Sequence, residues 1–578
     1  MMQRSSMLQQ RKIHNKREPK IQRQQHAKDV LRIIPLGGQE EIGRNCILFE
    51  YGNDIVIIDM GLQWPEENMP GIDFIIPNIQ YLRGKEKNVR GVCITHGHYD
   101  HIGAVPYLVE KLGNPPIYGA PLTLAFIKKR QEEFPQKPKL RLMQIRAHEQ
   151  FRLGVFRVEF IPVAHSIPDA MAVCLQTPVG TILHTGDFKM DLAEKESPFI
   201  QWIKRSGRGK ITMLLADSTN ASQTGRQLSE GEIQTDLEKI FQTVQGRMLF
   251  AMFASNVSRV KQVLELALKY KRYVFVDGRS MKVNLEIARE LGYVHFPKNQ
   301  IRDVAEAKKF PWERSLILCT GAQGEERAVL NRIANREHRF VRIEKGDTVI
   351  FSSSVIPGNE RSVQRLVDSL YREGADVINY RMMDIHAGGH AREEDLRVLH
   401  QLVHPRYLVP IYGHYAFLHA HRKVAMKSGM PENRVLIADN GQIIELDRRG
   451  ARLTKKKVPT DYVFVDGLGV GDVSNVVLRD RQQMSEDGML VVIVTIEGRT
   501  GRLLGIPDII SRGFVHMKES KGLIHDTQLR IKKLLKDHEP RVAADEADIR
   551  NRIRDDIGNF LFHKTQRRPL ILPVIIEV

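Results

Sequence analysis

The sequence has few cysteines and no long apolar run. Its four cysteines among 578 residues are far apart and include no CxxC pair. This spacing indicates neither a disulfide framework nor a cysteine zinc site, so each cysteine is expected to be a small buried residue in a reducing compartment. No apolar run approaches the ~20 residues of a membrane helix, and the N-terminus lacks the apolar centre of a signal peptide. The sequence therefore predicts a cytoplasmic protein that is not inserted in a membrane.

Acidic residues are scarce in the first 28 residues. This segment holds eight Lys or Arg against one acid, Glu18, and it has little to bury, so it is predicted to be a disordered basic tail. The whole chain is also basic, with a net charge of +18. A solubilising extension and a nucleic-acid-binding arm are equally compatible with the tail, because charge alone does not specify a partner.

Short apolar runs that end in an acid or a histidine follow one another from residue 31 onward. NDIVIIDMG contains Asp59, VFRVEFIPVAHS leads to His165, GTILHTGDF leads to Asp187, and ITMLLADSTN leads to Asp217. Such runs predict strands, and polar side chains at the ends of strands in a rigid sheet are typical of a functional site. We expect these loops to meet at one sheet edge.

Two later regions have a different pattern. Helical and strand patterns alternate between residues 225 and 375, which predicts a parallel α/β unit. From about residue 460 a new set of strands and helices predicts a small separate α/β domain. In its last predicted helix, Ile549, Ile553 and Ile557 fall on one face.

The stretch THGHYDH places four metal-binding side chains in one loop: His96, His98, Asp100 and His101. Imidazole and carboxylate groups are ligands that Zn²⁺ accepts. Alternate side chains of an extended loop point the same way, so His96 and His98 can share one ion. Asp100 and His101 follow the turn and can serve a second ion close by.

Later residues can complete both sites. His165 and Asp187 follow other predicted strands, and Asp187 is the natural bridge because a carboxylate has two oxygens to share. Asp59 ends a strand next to the histidine loop. It can hold a ligand histidine from behind or cap a buried turn.

Further motifs stand in order from about residue 31 to the C-terminus: GGQEEIGRNC, ITHGHYDHIGAVPYL, HSIPDA, HTGDFKMD, ADSTNA, LCTGAQGE, IPGNE, DGLGVGDV and PDIISRGFVH. Together they closely resemble the bacterial ribonuclease J family, which belongs to the β-CASP branch of the metallo-β-lactamase superfamily. The resemblance implies an α/β fold, in which a metallo-β-lactamase αββα sandwich carries an inserted β-CASP α/β domain and a small α/β C-terminal domain. The expected division is a tail at 1–28, the sandwich at 29–224 and 378–450, the β-CASP domain at 225–377, a linker at 451–462 and the C-terminal domain at 463–578.

The resemblance also implies an activity. A ribonuclease J is expected to cleave RNA with a metal-activated hydroxide, both from the 5′ end in the 3′ direction and internally, in mRNA decay and ribosomal RNA maturation. It implies two Zn²⁺ ions per subunit, with Mn²⁺ or Mg²⁺ as possible replacements. The expected partners are single-stranded RNA, preferably with a 5′-monophosphate, and further copies of the chain in a dimer or tetramer.

Site residues carry over from the matching motifs. One zinc ion is expected on His96, His98 and His165, and the other on Asp100 and His101, with Asp187 bridging. Asp100, Asp187 and His390 are the expected catalytic residues. The expected contacts to substrate are His386, Gly388, Ser258, Arg259, Arg279 and Ser280.

The chain departs from the family pattern at two places. HAGGHA has Gly388 where the family has serine, which removes one hydroxyl group from the phosphate site. In PIYGHY, Tyr412 stands where the family has its last zinc-ligand histidine, and a phenol that titrates near ~10 is a poor ligand. His414 is expected to replace it, because two residues along an extended segment keep the same side.

Other functions remain open from the sequence. A lactamase-fold hydrolase of a small phosphodiester or ester has no need for the inserted domain or the basic charge. A catalytically weakened RNA-binding or scaffold relative, disabled by the Tyr412 change, is the main alternative. A DNA substrate also remains possible, because no residue is identified that reads the 2′-hydroxyl.

Overall fold

The computed structural model describes residues 29–190, 197–206, 208–297, 300–353, 355, 358–379, 388–498, 502–516, 519–536 and 546–578. The predicted basic tail and His386 lie outside these residues. Within the described part of the chain, none of the helices combines the length and the apolar content that a membrane span requires. The chain forms two compact units. The first ends at Leu62, resumes at Pro77 and runs to Asp461, and the second takes Gln63–Ile76 and Tyr462–Val578.

The elements up to residue 224 are, in chain order, β1 (Leu31–Gly37), β2 (Cys46–Tyr51), β3 (Asp54–Ile58), β4 (Phe74–Ile76), β5 (Val89–Cys93), α1 (Tyr99–Ile102), α2 (Val105–Leu108), β6 (Ile117–Gly119), α3 (Pro121–Gln131), β7 (Leu142–Gln144), β8 (Gln150–Leu153), β9 (Phe156–Pro162), β10 (Met171–Thr177), β11 (Gly180–His184), α4 (Pro198–Ser206) and β12 (Met213–Asp217).

The next elements are α5 (Glu230–Thr243), β13 (Met248–Ala251), α6 (Val257–Lys269), β14 (Tyr273–Val276), α7 (Arg279–Glu290), β15 (Ile301–Asp303), β16 (Ser315–Cys319), α8 (Val329–Ala334), β17 (Thr348–Phe351), α9 (Glu360–Arg372), β18 (Asp376–Asn379), α10 (Glu393–Val403), β19 (Tyr407–Ile411), α11 (Tyr415–Lys427), β20 (Gln442–Leu446) and β21 (Ala451–Lys457). The last are β22 (Val463–Asp466), β23 (Gly469–Val470), α12 (Asn475–Asp487), β24 (Met489–Ile496), β25 (Leu503–Arg512), α13 (Lys521–Lys536), α14 (Glu546–Thr565) and β26 (Leu570–Glu577).

Two sheets form a sandwich in the first unit. Their strand orders are β21-β20-β1-β2-β3-β5-β6-β7 and β19-β12-β11-β10-β9-β8. Phe49 and Val56 of the first sheet and Phe160 and Val173 of the second lie in one buried apolar core. A second core joins the outer face of the second sheet to α4, α10 and α11. Apolar residues on both sheet faces therefore build the αββα sandwich, and the predicted fold class is confirmed.

The inserted segment forms its own parallel sheet. Its strand order is β15-β14-β16-β13-β17-β18, and every neighbouring pair is parallel. Helices connect these strands, as parallel pairing requires. The alternation of helix and strand between residues 225 and 375 predicted this arrangement correctly.

Strand direction brings the polar loops to one edge. β11, β12 and β19 are parallel neighbours, and β10 is antiparallel to both β9 and β11, so β9 runs in the same direction as those three strands. In the other sheet β3 and β5 are parallel. The residues that follow β9, β11, β12 and β19 therefore lie at one edge of the second sheet. The residues that follow β3 and β5 likewise lie at one edge of the first sheet.

The second unit contains a three-stranded sheet ordered β25-β24-β26. Its buried face packs on α13 and α14, and the predicted apolar stripe of the last helix is buried, with Ile549 at 1% exposure and both Ile553 and Ile557 at 0%.

Two details differ from the domain division that the sequence indicated. Residues 451–457 of the expected linker form β21, which pairs with β20 at the edge of the sandwich. Gln63–Ile76 belongs with the C-terminal residues, because β4 pairs with β22. A strand pair separated by almost 400 residues leaves no local signal in the sequence.

Candidate metal centre

Three imidazoles and one carboxylate meet at the edge of the sandwich. His96 follows β5, His165 follows β9 and Asp187 follows β11. His98 Nδ1 lies 3.0 Å from His96 Nε2 and 3.2 Å from His165 Nε2. Asp187 Oδ2 lies 3.6 Å from His96 Nε2 and 3.8 Å from His165 Nε2. One potential ligand atom from each of the four residues lies within 4.8 Å of the others, close enough to hold one ion.

A second group shares Asp187. His101 Nε2 lies 3.3 Å from Asp100 Oδ2 and 3.3 Å from Asp187 Oδ2. His101 is fully buried, whereas the Asp100 side chain is 37% exposed. The structure thus brings together six of the seven predicted metal ligands, in two groups that meet at Asp187.

Hydrogen bonds on the outer nitrogens leave the inner nitrogens free to bind a cation. His165 Nδ1 donates to Gly389 O at 2.7 Å, so its Nε2 carries the lone pair. Thr95 Oγ1 donates to Asp59 Oδ2, so it can accept from His96 Nδ1 at 3.0 Å, and His96 Nε2 then also carries a lone pair. Both lone pairs face His98 Nδ1, and lone pairs that converge in this way suit a metal ion.

The electrostatics of the first group agree with this donor set. Burial lowers the pKa of His96 and His165 well below the ordinary histidine value, and the neighbouring imidazoles lower it further. Burial also lowers the pKa of His98 to about 4. All three rings are therefore neutral at pH 7, which is the form that binds metals.

Carboxylates dominate the second group. Burial opposes a charge on His101, but Asp187, Asp100 and Asp59 outweigh burial and raise its pKa well above the ordinary value. Three carboxylates around one ring attract positive charge, and a divalent cation meets the same attraction. Burial raises the pKa of Asp187. The donor sets of both groups fit divalent ions.

Asp59 holds His101 from behind, as one of the two interpretations of the sequence expected. Its Oδ2 atom accepts from His101 Nδ1 at 2.8 Å and from Thr95 Oγ1 at 2.9 Å, and its Oδ1 atom accepts from Thr95 N at 2.8 Å. These bonds direct His101 Nε2 toward Asp100 and Asp187. Asp59 has φ +63°, a conformation that few residues other than glycine adopt.

His390 lies beside the first group. Its Nδ1 atom is 2.7 Å from Asp217 Oδ2 and 4.0 Å from Asp187 Oδ2. Burial disfavours the charged ring, but Asp217 and Asp187 outweigh burial and raise the pKa of His390 to about 9. Asp217 ends β12 and also accepts from Thr219 N and Oγ1. The sequence placed Asp217 at a strand end but did not assign it to the site.

His414 does not join the cluster. The expectation that it replaces the missing histidine assumed an extended segment, but Tyr412 has φ +63° and Gly413 has φ +110°. The chain therefore turns, and His414 becomes the exposed residue before α11, with its ring against Phe417. Tyr412 is buried instead, and its hydroxyl lies 3.2 Å from Asp59 Oδ2 and 3.2 Å from His184 Nε2.

Asn45 is a further residue of the centre that the sequence did not indicate. Its Nδ2 atom lies 2.9 Å from His101 Nε2 and 3.3 Å from Asp100 Oδ2. The residue is buried because GRNC leads into β2 beneath the histidine loop. Asparagine in a glycine-rich turn is common, so its neighbours in sequence gave no signal of this contact.

The predicted substrate contacts differ in accessibility. Arg279 and Ser280 are exposed in the first turn of α7, and Ser258 is half-buried in α6. Arg259 is only 1% exposed and donates to Ser352 Oγ, Gln262 Oε1 and Glu230 Oε2. Its guanidinium group is thus committed inside the inserted domain, which corrects the expectation of a direct phosphate contact.

Gly388 faces two side-chain amides. A Cβ atom there would lie 3.1 Å from Gln227 Oε1 and 3.2 Å from Asn220 Nδ2. Gln227 is buried, and neither the nitrogen nor the oxygen of its carboxamide has a hydrogen-bond partner among the described residues. Side-chain amides therefore occupy the space next to the position where the family's serine would stand.

Comparisons with known proteins agree with this architecture. Family profiles match residues 40–274 as metallo-β-lactamase superfamily, 245–370 as ribonuclease J β-CASP domain and 476–578 as ribonuclease J C-terminal domain. Ribonuclease J2 of Bacillus subtilis (strain 168) is 36% identical over 95% of this chain and 99% of its own length. Ribonuclease J 1 of Streptococcus pyogenes serotype M3 is 38% identical over 94% of this chain and 97% of its own length.

A solved structure shares the fold. A protein of unknown function from Enterococcus faecalis V583 superposes with a TM-score of 0.53 at 15% identity, over 72% of this chain and 100% of that chain. The sequence relatives extend the likeness to nearly the whole length. The chain therefore belongs to the ribonuclease J family of metal-dependent nucleases, as its motifs predicted.

Proposed function

We propose that this protein is a zinc-dependent ribonuclease with 5′-to-3′ exonuclease and endonuclease activity. Its substrate is single-stranded RNA, preferably with a 5′-monophosphate, in cytoplasmic mRNA decay and ribosomal RNA maturation. One observation carries the proposal: three imidazoles and a shared carboxylate converge beside a second carboxylate group and His390, which Asp217 holds. The names of the relatives supply the class of substrate.

Zn²⁺ is the proposed ion because imidazole nitrogens and carboxylate oxygens form the whole donor set. His96, His98, His165 and Asp187 would hold one ion, and Asp100, His101 and Asp187 would hold the other. Divalent cations held there supply Lewis acidity, which lowers the pKa of water and stabilises charge on a phosphate. Mn²⁺ or Mg²⁺ can take the more carboxylate-rich position, because both prefer oxygen ligands.

The chain's own groups have separate tasks. Asp187 would contribute to both cation positions, and Asp100 presents a partly exposed carboxylate. His390 carries a proton at neutral pH and is held by Asp217, so it can donate that proton to the leaving oxygen of the RNA. The side-chain amide groups of Gln227 and Asn220 lie near the same loop and can donate to phosphate oxygens.

The inserted domain offers a surface for the RNA backbone. Arg279 and Ser280 are exposed at the N-terminus of α7, where backbone N–H groups and the helix dipole favour anions. The net charge of +18 acts in the same direction. A small-molecule substrate has no use for these features.

Self-association through the C-terminal unit is part of the proposal. Ile510, Val491 and Leu572 stand side by side across the three strands, so they share one face of the sheet. Ile510 is 41% exposed and Leu572 is 47% exposed. An apolar sheet face of this kind suits burial against a second copy of the chain.

The decisive test is cleavage of 5′-labelled monophosphorylated RNA by the purified full chain, with metal analysis of the same sample. We expect the RNA to be degraded to mononucleotides. We also expect the metal analysis to find divalent cations bound to the protein. His98→Ala removes a donor from the four-residue group and should lower the rate more than about 100-fold, since even changes behind a ligand cost 10–100-fold. His563→Ala changes an exposed histidine of the C-terminal unit and serves as the matched control.

Wild-type turnover by His98→Ala would contradict the proposed centre. RNA binding without cleavage under any divalent ion would favour the alternative, an RNA-binding scaffold in which the Tyr412 change has disabled the site.

A further inference from the structure

Tyr412 is a buried residue of the metal centre. Metal binding does not account for it, because a phenol is a poor metal ligand. It follows β19 directly and is 3% exposed. Its hydroxyl oxygen is 3.2 Å from His184 Nε2 and 3.2 Å from Asp59 Oδ2.

Neighbouring groups fix the direction of both hydrogen bonds of the Tyr412 hydroxyl, to His184 and to Asp59. Gly186 N–H donates to His184 Nδ1 at 3.1 Å, so the proton of the neutral ring is on Nε2. His184 Nε2–H then donates to the Tyr412 oxygen. A carboxylate can only accept, so the Tyr412 hydroxyl donates to Asp59 Oδ2.

Tyr412 is thereby committed on both sides. Its oxygen accepts from His184 and its proton goes to Asp59, which leaves the phenol neutral and turned away from ligation. Asp59 Oδ2 collects three donors, from Tyr412, Thr95 and His101. The bond from His101 Nδ1 leaves Nε2 as the metal-binding nitrogen of His101.

We infer that Tyr412 is a positioning residue, which acts through Asp59 to fix His101. Among the described residues, the second cation position then has three protein ligands, Asp100, His101 and Asp187. The two positions are unequal: His96, His98, His165 and Asp187 surround the first, and Asp100, His101 and Asp187 form the second. Asn45 adds only a neutral amide near His101 Nε2. The first position would therefore bind its cation more tightly. Occupancy of the second position would depend on the cation concentration, and oxygens of bound RNA would supply its missing ligands.

This inference rests on the proposed function for its two cation positions, but its test reads binding rather than cleavage. Full-length protein is stripped with chelator and titrated calorimetrically with Zn²⁺, and separately with Mn²⁺. Metal content is then measured after gel filtration. The variants are Tyr412→Phe, which removes only the hydroxyl, and Tyr412→His, which offers a ligand nitrogen. Tyr118→Phe is the matched control, because Tyr118 stacks on Phe151 in the same sandwich.

We expect two binding steps in the wild type, with the second at least about tenfold weaker. Tyr412→Phe should weaken the second step by a further 10–100-fold and leave the first within about twofold, as changes behind a metal ligand do. Tyr412→His should tighten the second step and retain two cations through gel filtration. Tyr118→Phe should bind as the wild type does.

Equal affinity of both positions in the wild type would overturn the inference. So would a Tyr412→Phe variant that matches Tyr118→Phe at both steps while its thermal unfolding is unchanged. A chain that binds no cation at all would instead overturn the proposed function, and the two failures are therefore distinguishable.

Discussion

Asp217 and His390 illustrate how a single carboxylate sets the chemistry of its neighbour. The 2.7 Å contact between them outweighs the burial that would otherwise discharge the ring, and the pKa of His390 rises to about 9. A group whose pKa is raised carries its proton below that value and loses it above. A proton donor at this position is therefore active at neutral pH and fails in alkali.

Asp217→Asn tests this role. The amide keeps the size of the side chain but removes its charge, so the pKa of His390 should fall and the alkaline limb of the rate–pH profile should move to lower pH. At pH 8 the rate should drop by about 10–100-fold, within the range that general acid catalysis contributes. The measurement is the pH dependence of RNA cleavage at saturating metal.

Thr219→Val is the control for that experiment. It removes a hydrogen bond to the other oxygen of Asp217 and keeps the charge. Its alkaline limb should stay at the wild-type position. An Asp217→Asn profile that also stays there would exclude His390 as the proton donor.

At the scale of elements, the consecutive helices α6 and α7 show that similar motifs can have different tasks. Both begin after parallel strands of the inserted sheet, and each carries an arginine in its first turn. Arg259 points inward and bonds to Ser352 and Glu230, whereas Arg279 is exposed. The first arginine therefore stabilises the domain, and the second is available to a phosphate.

Two substitutions separate these tasks. Arg259→Met should lower the free energy of unfolding by roughly 3 kcal/mol, because buried partners lose a charged donor. Arg279→Ala should leave stability within about 0.5 kcal/mol and reduce the slope of log affinity against log salt by about one unit. Denaturant titration and RNA binding across a salt series measure the two effects.

Arg289→Ala is the matched control, since Arg289 is exposed at the other end of α7. Equal loss of RNA affinity in Arg279→Ala and Arg289→Ala would assign the effect to net charge rather than to the helix N-terminus.

At the scale of the whole molecule, the β25-β24-β26 sheet has an apolar face that is exposed in the described part of the chain. Leu572→Glu places a charge beside Val491 at the centre of this face. Stable interfaces bury roughly 1,200–2,000 Å² in total, so one charge at the centre should dissociate the proposed assembly. Light scattering coupled to gel filtration should show the mass fall by half or more.

Leu268→Glu is the control, because Leu268 is 56% exposed but lies on α6 in the other unit. Its mass should equal that of the wild type. A wild-type chain that is already monomeric at micromolar concentration would contradict self-association.

The sequence by itself determined the family and the fold class, and it named most of the candidate metal ligands that the structure brings together. The histidines and acids follow apolar strands whose directions place them at one edge, and this pattern is local in the chain. His96, His98, Asp100 and His101 are within six residues of each other, so their proximity needs no tertiary information.

Only the tertiary structure decided where the side chains of four residues lie and what they contact: Tyr412, His414, Arg259 and Asn45. A turn with two positive φ angles directs His414 into solvent, and neighbours almost 100 residues away bury the guanidinium of Arg259. Tyr412 meets Asp59 across more than 350 residues of sequence. Such contacts depend on how separate strands pack together, and side-chain packing across a fold leaves no periodic or local trace in the sequence.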